Sequence, residues 1–151
     1  MIKGIHHVGI STPDLDRICC FYRDVVGFEP VGEEFAWEPD TDIGKLCDTV
    51  VGLKGSSARS IMLKKADMII EFFEYRRPEP KPRDPETRVC DHGYTHICLQ
   101  VEDIDHEYER LKSLGMIFHA APPPGDPGGL RAIYGKDPDG NVVELMEELA
   151  A

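Results

Sequence analysis

The chain has 151 residues and a formal net charge of −11, with 28 acidic side chains against 17 basic ones; a phosphate backbone or an anionic membrane surface, each of which recruits clustered Lys and Arg, is excluded as a partner. That length suits one domain with its own core. The five cysteines (Cys19, Cys20, Cys47, Cys90, Cys98) are odd in number and lack a Cys-x-x-Cys pair, no leader or long apolar run is evident, and the expectation is a soluble cytoplasmic protein with reduced thiols rather than a disulfide scaffold or a thiolate zinc knuckle.

Ile5 to Ile10 reads as a strand, after which Leu15, Ile18, Cys19, Tyr22, Val25 and Val26 recur at helical spacing. Asp14 is placed to cap that helix and Gly27 to end it. Strands are expected over Phe28 to Glu33, Ser60 to Leu63 and Met68 to Tyr75, with Ala36 to Arg59 forming a loop and a short helix between the first two. Arg76 to Asp91, rich in Pro and charge, reads as a connector. A second series follows: strand Tyr94 to Val101, a helix capped by Asp103 with Ile104, Tyr108 and Leu111 inward and Gly115 as its stop, then strands Met116 to His119, Leu130 to Tyr134 and Val142 to Glu147. Ala121 to Gly129 is a Pro/Gly loop of the kind that often borders sites, and Asp137-Pro138-Asp139-Gly140 a tight turn. The order β-α-β-β-β is therefore written twice, with module one at about residues 2–75, a linker at 76–93 and module two at about 94–149 of a single domain.

The repeat extends to individual residues. His7-Val8-Gly9-Ile10 precedes Asp14-Leu15-Asp16 as His96-Ile97-Cys98-Leu99 precedes Asp103-Ile104-Asp105, and IIEFFE at 69–74 closes the first copy as VVELME at 142–147 closes the second. Side chains alternate across a strand, so Val8 and Ile10, like Ile97 and Leu99, are expected to pack on the helices, and His7 and His96 to face the other way. Glu71 and Glu144 share that other face of their strands, opposite Ile70 and Phe72 or Val143 and Leu145. A carboxylate flanked by such apolar residues needs a cation or a donor to offset its desolvation. Two imidazoles and two carboxylates provide for a borderline divalent ion (Ni, Co, Fe, Mn or Zn) rather than Ca or Mg. The metal ligands expected are thus His7, Glu71, His96 and Glu144. Glu74 and Glu147 repeat as well, but they fall on the opposite face and read as solvated. His6, His92, His106 and His119 have no counterparts and read as structural or surface groups, Glu33, Glu34 and Glu38 as a solvated run. Trp37, Arg59, Arg131 and Tyr134 read as packing or surface residues before they read as an anion site.

The segments HHVGIS-PDLD, FYRDVVGF, IIEFFE, YTHICLQVEDID and DPDGNVVELMEE, which together span nearly the whole chain, resemble the vicinal oxygen chelate superfamily, which includes glyoxalase I, methylmalonyl-CoA epimerase, extradiol dioxygenases and fosfomycin or bleomycin resistance proteins. The resemblance implies an α+β fold in which two βαβββ modules form a cup-shaped, mostly antiparallel eight-stranded sheet around one divalent metal ion. It implies a homodimer acting on a small molecule. With Glu71 as a fourth protein ligand, the set looks like that of glyoxalase I or the epimerase: a lyase or isomerase that moves a proton next to a metal-bound carbonyl through an enediolate. Glu144 is the expected catalytic base and Glu71 its counterpart on the other face of the substrate. An extradiol-type oxygen-dependent dioxygenase, in which Glu71 would not bind metal, and a metal-free binding protein of the resistance type are the alternatives.

Overall fold

The computed structural model describes residues 1–126 and 128–149; one residue of the Pro/Gly loop expected at 121–129, Pro127, lies outside them. The chain divides into two compact units, Met1–Pro82 and Arg83–Ala151, each carrying one copy of the repeat.

In the first unit the order is β1 (Val8–Ser11), α1 (Leu15–Cys20) continuing as a π-helical turn (Phe21–Val26), β2 (Glu29–Trp37), α2 (Asp42–Val51), β3 (Ser57–Lys65) and β4 (Met68–Arg77). The Asp14 carboxylate accepts the Arg17 N–H and starts α1, and Gly27, at φ 84°, ends the helical run in the left-handed conformation that glycine adopts without strain. The strands form a sheet in the order β1-β4-β3-β2, with β1 parallel to β4 and the other pairs antiparallel. Ile70 and Phe72 of β4 are fully buried under α1, where the Tyr22 ring lies 4.8 Å from that of Phe72. Burying a side chain such as Phe72 contributes about 1.5–3 kcal/mol relative to leaving it exposed. Val8 does not join this core and is 38 % exposed: β1 is an edge strand, and α1 lies over β4 and β3.

The second unit repeats the topology: β5 (His96–Gln100), α3 (Ile104–Ser113), β6 (Ile117–Phe118), β7 (Leu130–Lys136) and β8 (Val142–Glu148), in the order β5-β8-β7-β6 with β5 parallel to β8. Asp103 caps α3 through the His106 N–H. Val143 and Leu145 are buried with Ile104, Leu111 and Met116. Gly135 is required by packing, since a Cβ there would stand 2.6 Å from the Met116 methyl and 2.7 Å from the Phe118 ring. The Asp137 turn is tied by its own carboxylate, which accepts the N–H groups of Asp139 and Asn141, each at 2.9 Å. The expected eight strands thus form two four-stranded mixed sheets of identical topology.

Glu74 and Glu147 are not solvated. They continue the helix-covered face of β4 and β8, and at its rim each carboxylate meets the start of a helix: Glu74 accepts the Leu15 N–H at 2.8 Å, and Glu147 the Asp103 N–H at 2.7 Å. Each also pairs with an arginine from the adjacent strand, Arg59 at 3.0 Å and Arg131 at 3.7 Å. Those arginines bind Asp16 and Asp105 in turn. Arg59 and Arg131 are therefore committed within a clasp made twice, joining helix start, central strand and last strand. The Arg59 guanidinium holds the Glu74 carboxyl below its ordinary value of 4.5. A carboxylate depressed in the folded state contributes stability that is present above 4.5 and lost as pH falls through the lowered folded value. Replacing Glu74 by alanine should cost about 1–3 kcal/mol, because it strands a charged partner and an N-terminal helix donor. Urea denaturation at pH 7 and over pH 3–5 should show both the lower stability and a weaker acid dependence than in the parent protein.

Candidate metal centre

On the face of the first sheet opposite α1, His7 immediately precedes β1 and Glu71 lies on β4 next to Gly9 in the parallel register. His7 Nε2 stands 3.3 Å from Glu71 Oε2, and that carboxylate is only 15 % exposed. In the second sheet Cys98 pairs with Glu144, and His96 Nε2 stands 3.1 Å from Glu144 Oε2. Each unit thus brings its histidine, at a strand start, against the glutamate in the middle of the parallel neighbour. Among the described residues no group of three or more His, Cys, Asp and Glu side chains is placed to hold a metal ion; each unit supplies two donors.

The donor chemistry of each pair fits a borderline divalent ion. In both histidines the remaining nitrogen is engaged locally: Nδ1 of His7 lies 2.9 Å from Nδ1 of His6, and Nδ1 of His96 lies 2.8 Å from the Thr95 hydroxyl. Nε2 is left facing the carboxylate, the arrangement in which one ring nitrogen is oriented by a neighbour and the other binds a metal. Among the described residues the carboxylate of Glu71 meets Ser60 and His7 and that of Glu144 meets His96, whereas Glu74 and Glu147 pair with arginines. His106 lies against Glu107 on α3, and is 70 % exposed. Of the unrepeated histidines, His6 touches His7.

Three neighbours escaped the sequence pattern. The Ser60 hydroxyl, buried on β3, donates to Glu71 Oε1 at 3.1 Å. Cys98 donates its thiol hydrogen to Glu144; partial desolvation of the sulfur, reinforced by that carboxylate, pushes the thiol up to about 11. Tyr134, opposite Glu144 in the β7–β8 register, lays its ring 4.8 Å from that of His96, and its hydroxyl is shifted upward by desolvation, then by Glu144. The alternation that put Glu71 and Glu144 on one face also predicts these neighbours once strand register is known, and register is what a single sequence lacks. Trp37 is a packing residue: it is buried, and its indole N–H donates to the Ser56 hydroxyl at 2.9 Å.

Two βαβββ modules, each presenting a His–Glu pair from its parallel strands, define a protein built by duplication of one half. The sequence pattern of the Glyoxalase/Bleomycin resistance protein/Dioxygenase superfamily matches residues 4–145, and the chain belongs to that superfamily. It is 29% identical to an ethylmalonyl-CoA/methylmalonyl-CoA epimerase of Cereibacter sphaeroides, over 97% of this chain and 99% of that protein. It is 27% identical to a 2-epi-5-epi-valiolone epimerase of an Actinomyces species, over 95% of this chain and 78% of that one. In fold it resembles a glyoxalase family protein from Bacillus cereus, with a TM-score of 0.85 at 22% identity, covering 99% of this chain and 97% of that one. No helix among the described residues is long and apolar enough to cross a membrane, and the five cysteines are free.

Proposed function

We propose that this protein is a divalent-metal-dependent isomerase or lyase that moves a proton on a carbon next to a carbonyl group of a small molecule, with His7, Glu71, His96 and Glu144 as the ligands of one Ni, Co, Zn, Mn or Fe ion. The observation that carries the reading is the His Nε2–Glu contact made twice, at 3.3 and 3.1 Å, on equivalent strands of a duplicated unit. The two epimerases among the relatives support an isomerase over a dioxygenase. A homodimer is the assembly proposed, and a cytoplasmic setting agrees with five free thiols.

When bound, the ion supplies Lewis acidity toward a carbonyl oxygen. Glu144 removes the proton: the C–H bond breaks, its electron pair moves into the new carbon–carbon double bond, and the negative charge goes to the carbonyl oxygen. The proton is then returned to the same carbon from the other face or, where that carbon carries a hydroxyl, to its neighbour, with the hydroxyl proton passing to the former carbonyl oxygen so that the carbonyl re-forms on the first carbon. Glu71 stands as the carboxylate for that second face, giving epimerisation if it delivers the proton to the original carbon. The aromatic group formed by Trp37, Phe73 and Tyr75, with ring centroids 5.8–6.5 Å apart, continues the sheet face that carries Glu71.

Thermal melting of chelator-treated protein titrated with each of the five ions tests the metal. At one hundred times the dissociation constant a bound ion should add about 2.7 kcal/mol of stability. A rise in Tm with at least one ion, matched by one metal per site in elemental analysis, is the expected result. No shift and no uptake with any ion would favour the metal-free binding reading instead.

A further inference from the structure

The two carboxylates occupy equivalent positions, but their surroundings are not equivalent, and they differ at two neighbouring positions. In the first sheet Ser60 pairs with Phe73, diagonal to Glu71; in the second sheet the corresponding residue, paired with Met146, is Ala132. Ser60 is 2 % exposed and its hydroxyl reaches Glu71 Oε1 at 3.1 Å, leaving Oε2 as the oxygen that faces His7. Ala132 has no hydrogen to give. What Glu144 receives instead comes from Cys98, a thiol and hence a weak donor, at the position where the first unit has Gly9.

We infer that Ser60 is a positioning residue that makes the pair unequal: its buried hydroxyl fixes the orientation of Glu71 as a ligand of the metal, an anchor that Glu144 lacks because Ala132 stands at the equivalent place. The inference rests on the metal-dependent reading above. A hydroxyl donated to one carboxylate oxygen fixes the torsion of the whole group and leaves a single oxygen to meet the ion, and outer partners of this kind typically govern affinity by about 10–100-fold. Losing the hydroxyl leaves Glu71 free to rotate and strips it of its one neutral donor. Losing the Cys98 thiol removes much less.

The test is calorimetric titration of the full-length protein with whichever of Ni, Co, Mn or Zn the parent binds most tightly, on Ser60→Ala, Ser60→Thr and Cys98→Ala, each checked for folding by circular dichroism. Ser60→Ala should bind about 10-fold more weakly, Ser60→Thr should recover most of that loss because it keeps the hydroxyl, and Cys98→Ala should lose clearly less than Ser60→Ala. Parent-like binding by folded Ser60→Ala overturns the inference, as does a Cys98→Ala loss equal to that of Ser60→Ala, or a Thr variant no better than the Ala one. A parent protein that binds none of the ions ends the metal reading itself, so the two failures are distinguishable.

Discussion

Replacing His96 by alanine should weaken metal binding by about 10²-fold, and replacing His7 should do the same. Structural zinc sites bind with roughly 10–16 kcal/mol shared among their ligands, so one of four ligands carries on the order of 3 kcal/mol. The fold should survive both changes. The His96 side chain is 28 % exposed and that of His7 is 35 % exposed, and the buried residues that hold each sheet to its helix, Phe72 and Leu145 among them, lie on the opposite face. Loss of the Tyr134 ring contact with His96 costs at most about 0.5–1.5 kcal/mol. His92→Ala, an exposed residue of the linker, is the matched control and should bind metal as the parent does. Inductively coupled plasma analysis after gel filtration, together with calorimetric titration, reads the result.

Glu144→Gln should keep the metal within about 10-fold and lose about 10²–10⁴-fold in proton transfer, the range that a positioned general base contributes. The amide oxygen still serves as a donor to the ion, but the group no longer accepts a proton. Glu71→Gln should show the opposite balance, with the greater share of its effect on metal affinity, because Ser60 and His7 hold that carboxylate from two sides. Solvent deuterium exchange into a panel of 2-methyl-branched acyl thioesters and α-hydroxy ketones measures the step without a known physiological substrate. Full exchange by Glu144→Gln on a compound that the parent turns over would remove Glu144 as the base.

The strand faces that carry the candidate ligands are legible in the sequence. The alternation of Ile70, Glu71 and Phe72, and of Val143, Glu144 and Leu145, sorts each strand into a core face and a carboxylate face, and burial follows that division. Asp14, Gly27 and Asp103 act at the helix ends that their residue types dictate. Glu74 and Glu147 show where the pattern misleads. Strand periodicity separates two faces but does not say which is wet, and a face covered by a helix offers a carboxylate the helix N-terminus and an arginine. Within residues 36–59 the short helix expected there is Asp42–Val51, but its bounds and the extension of β2 to Trp37 were hidden for a different reason. Its start signal, the Thr41 hydroxyl accepting the Gly44 N–H, precedes a first turn that holds a glycine, and Ile43, Leu46 and Val50 form an apolar stripe that remains exposed. Ser60 was invisible because a serine in a strand has no meaning until the register sets it beside Glu71.

Anomalous diffraction from crystals grown with the tightest-binding ion tests most directly whether two imidazoles and two carboxylates share one metal. The expected result is one peak bonded at about 2.0–2.2 Å by Nε2 of His7 and His96 and by oxygens of Glu71 and Glu144, drawn from one chain or from two copies. A peak held by one His–Glu pair alone, or an ion bound elsewhere on the molecule, would contradict it.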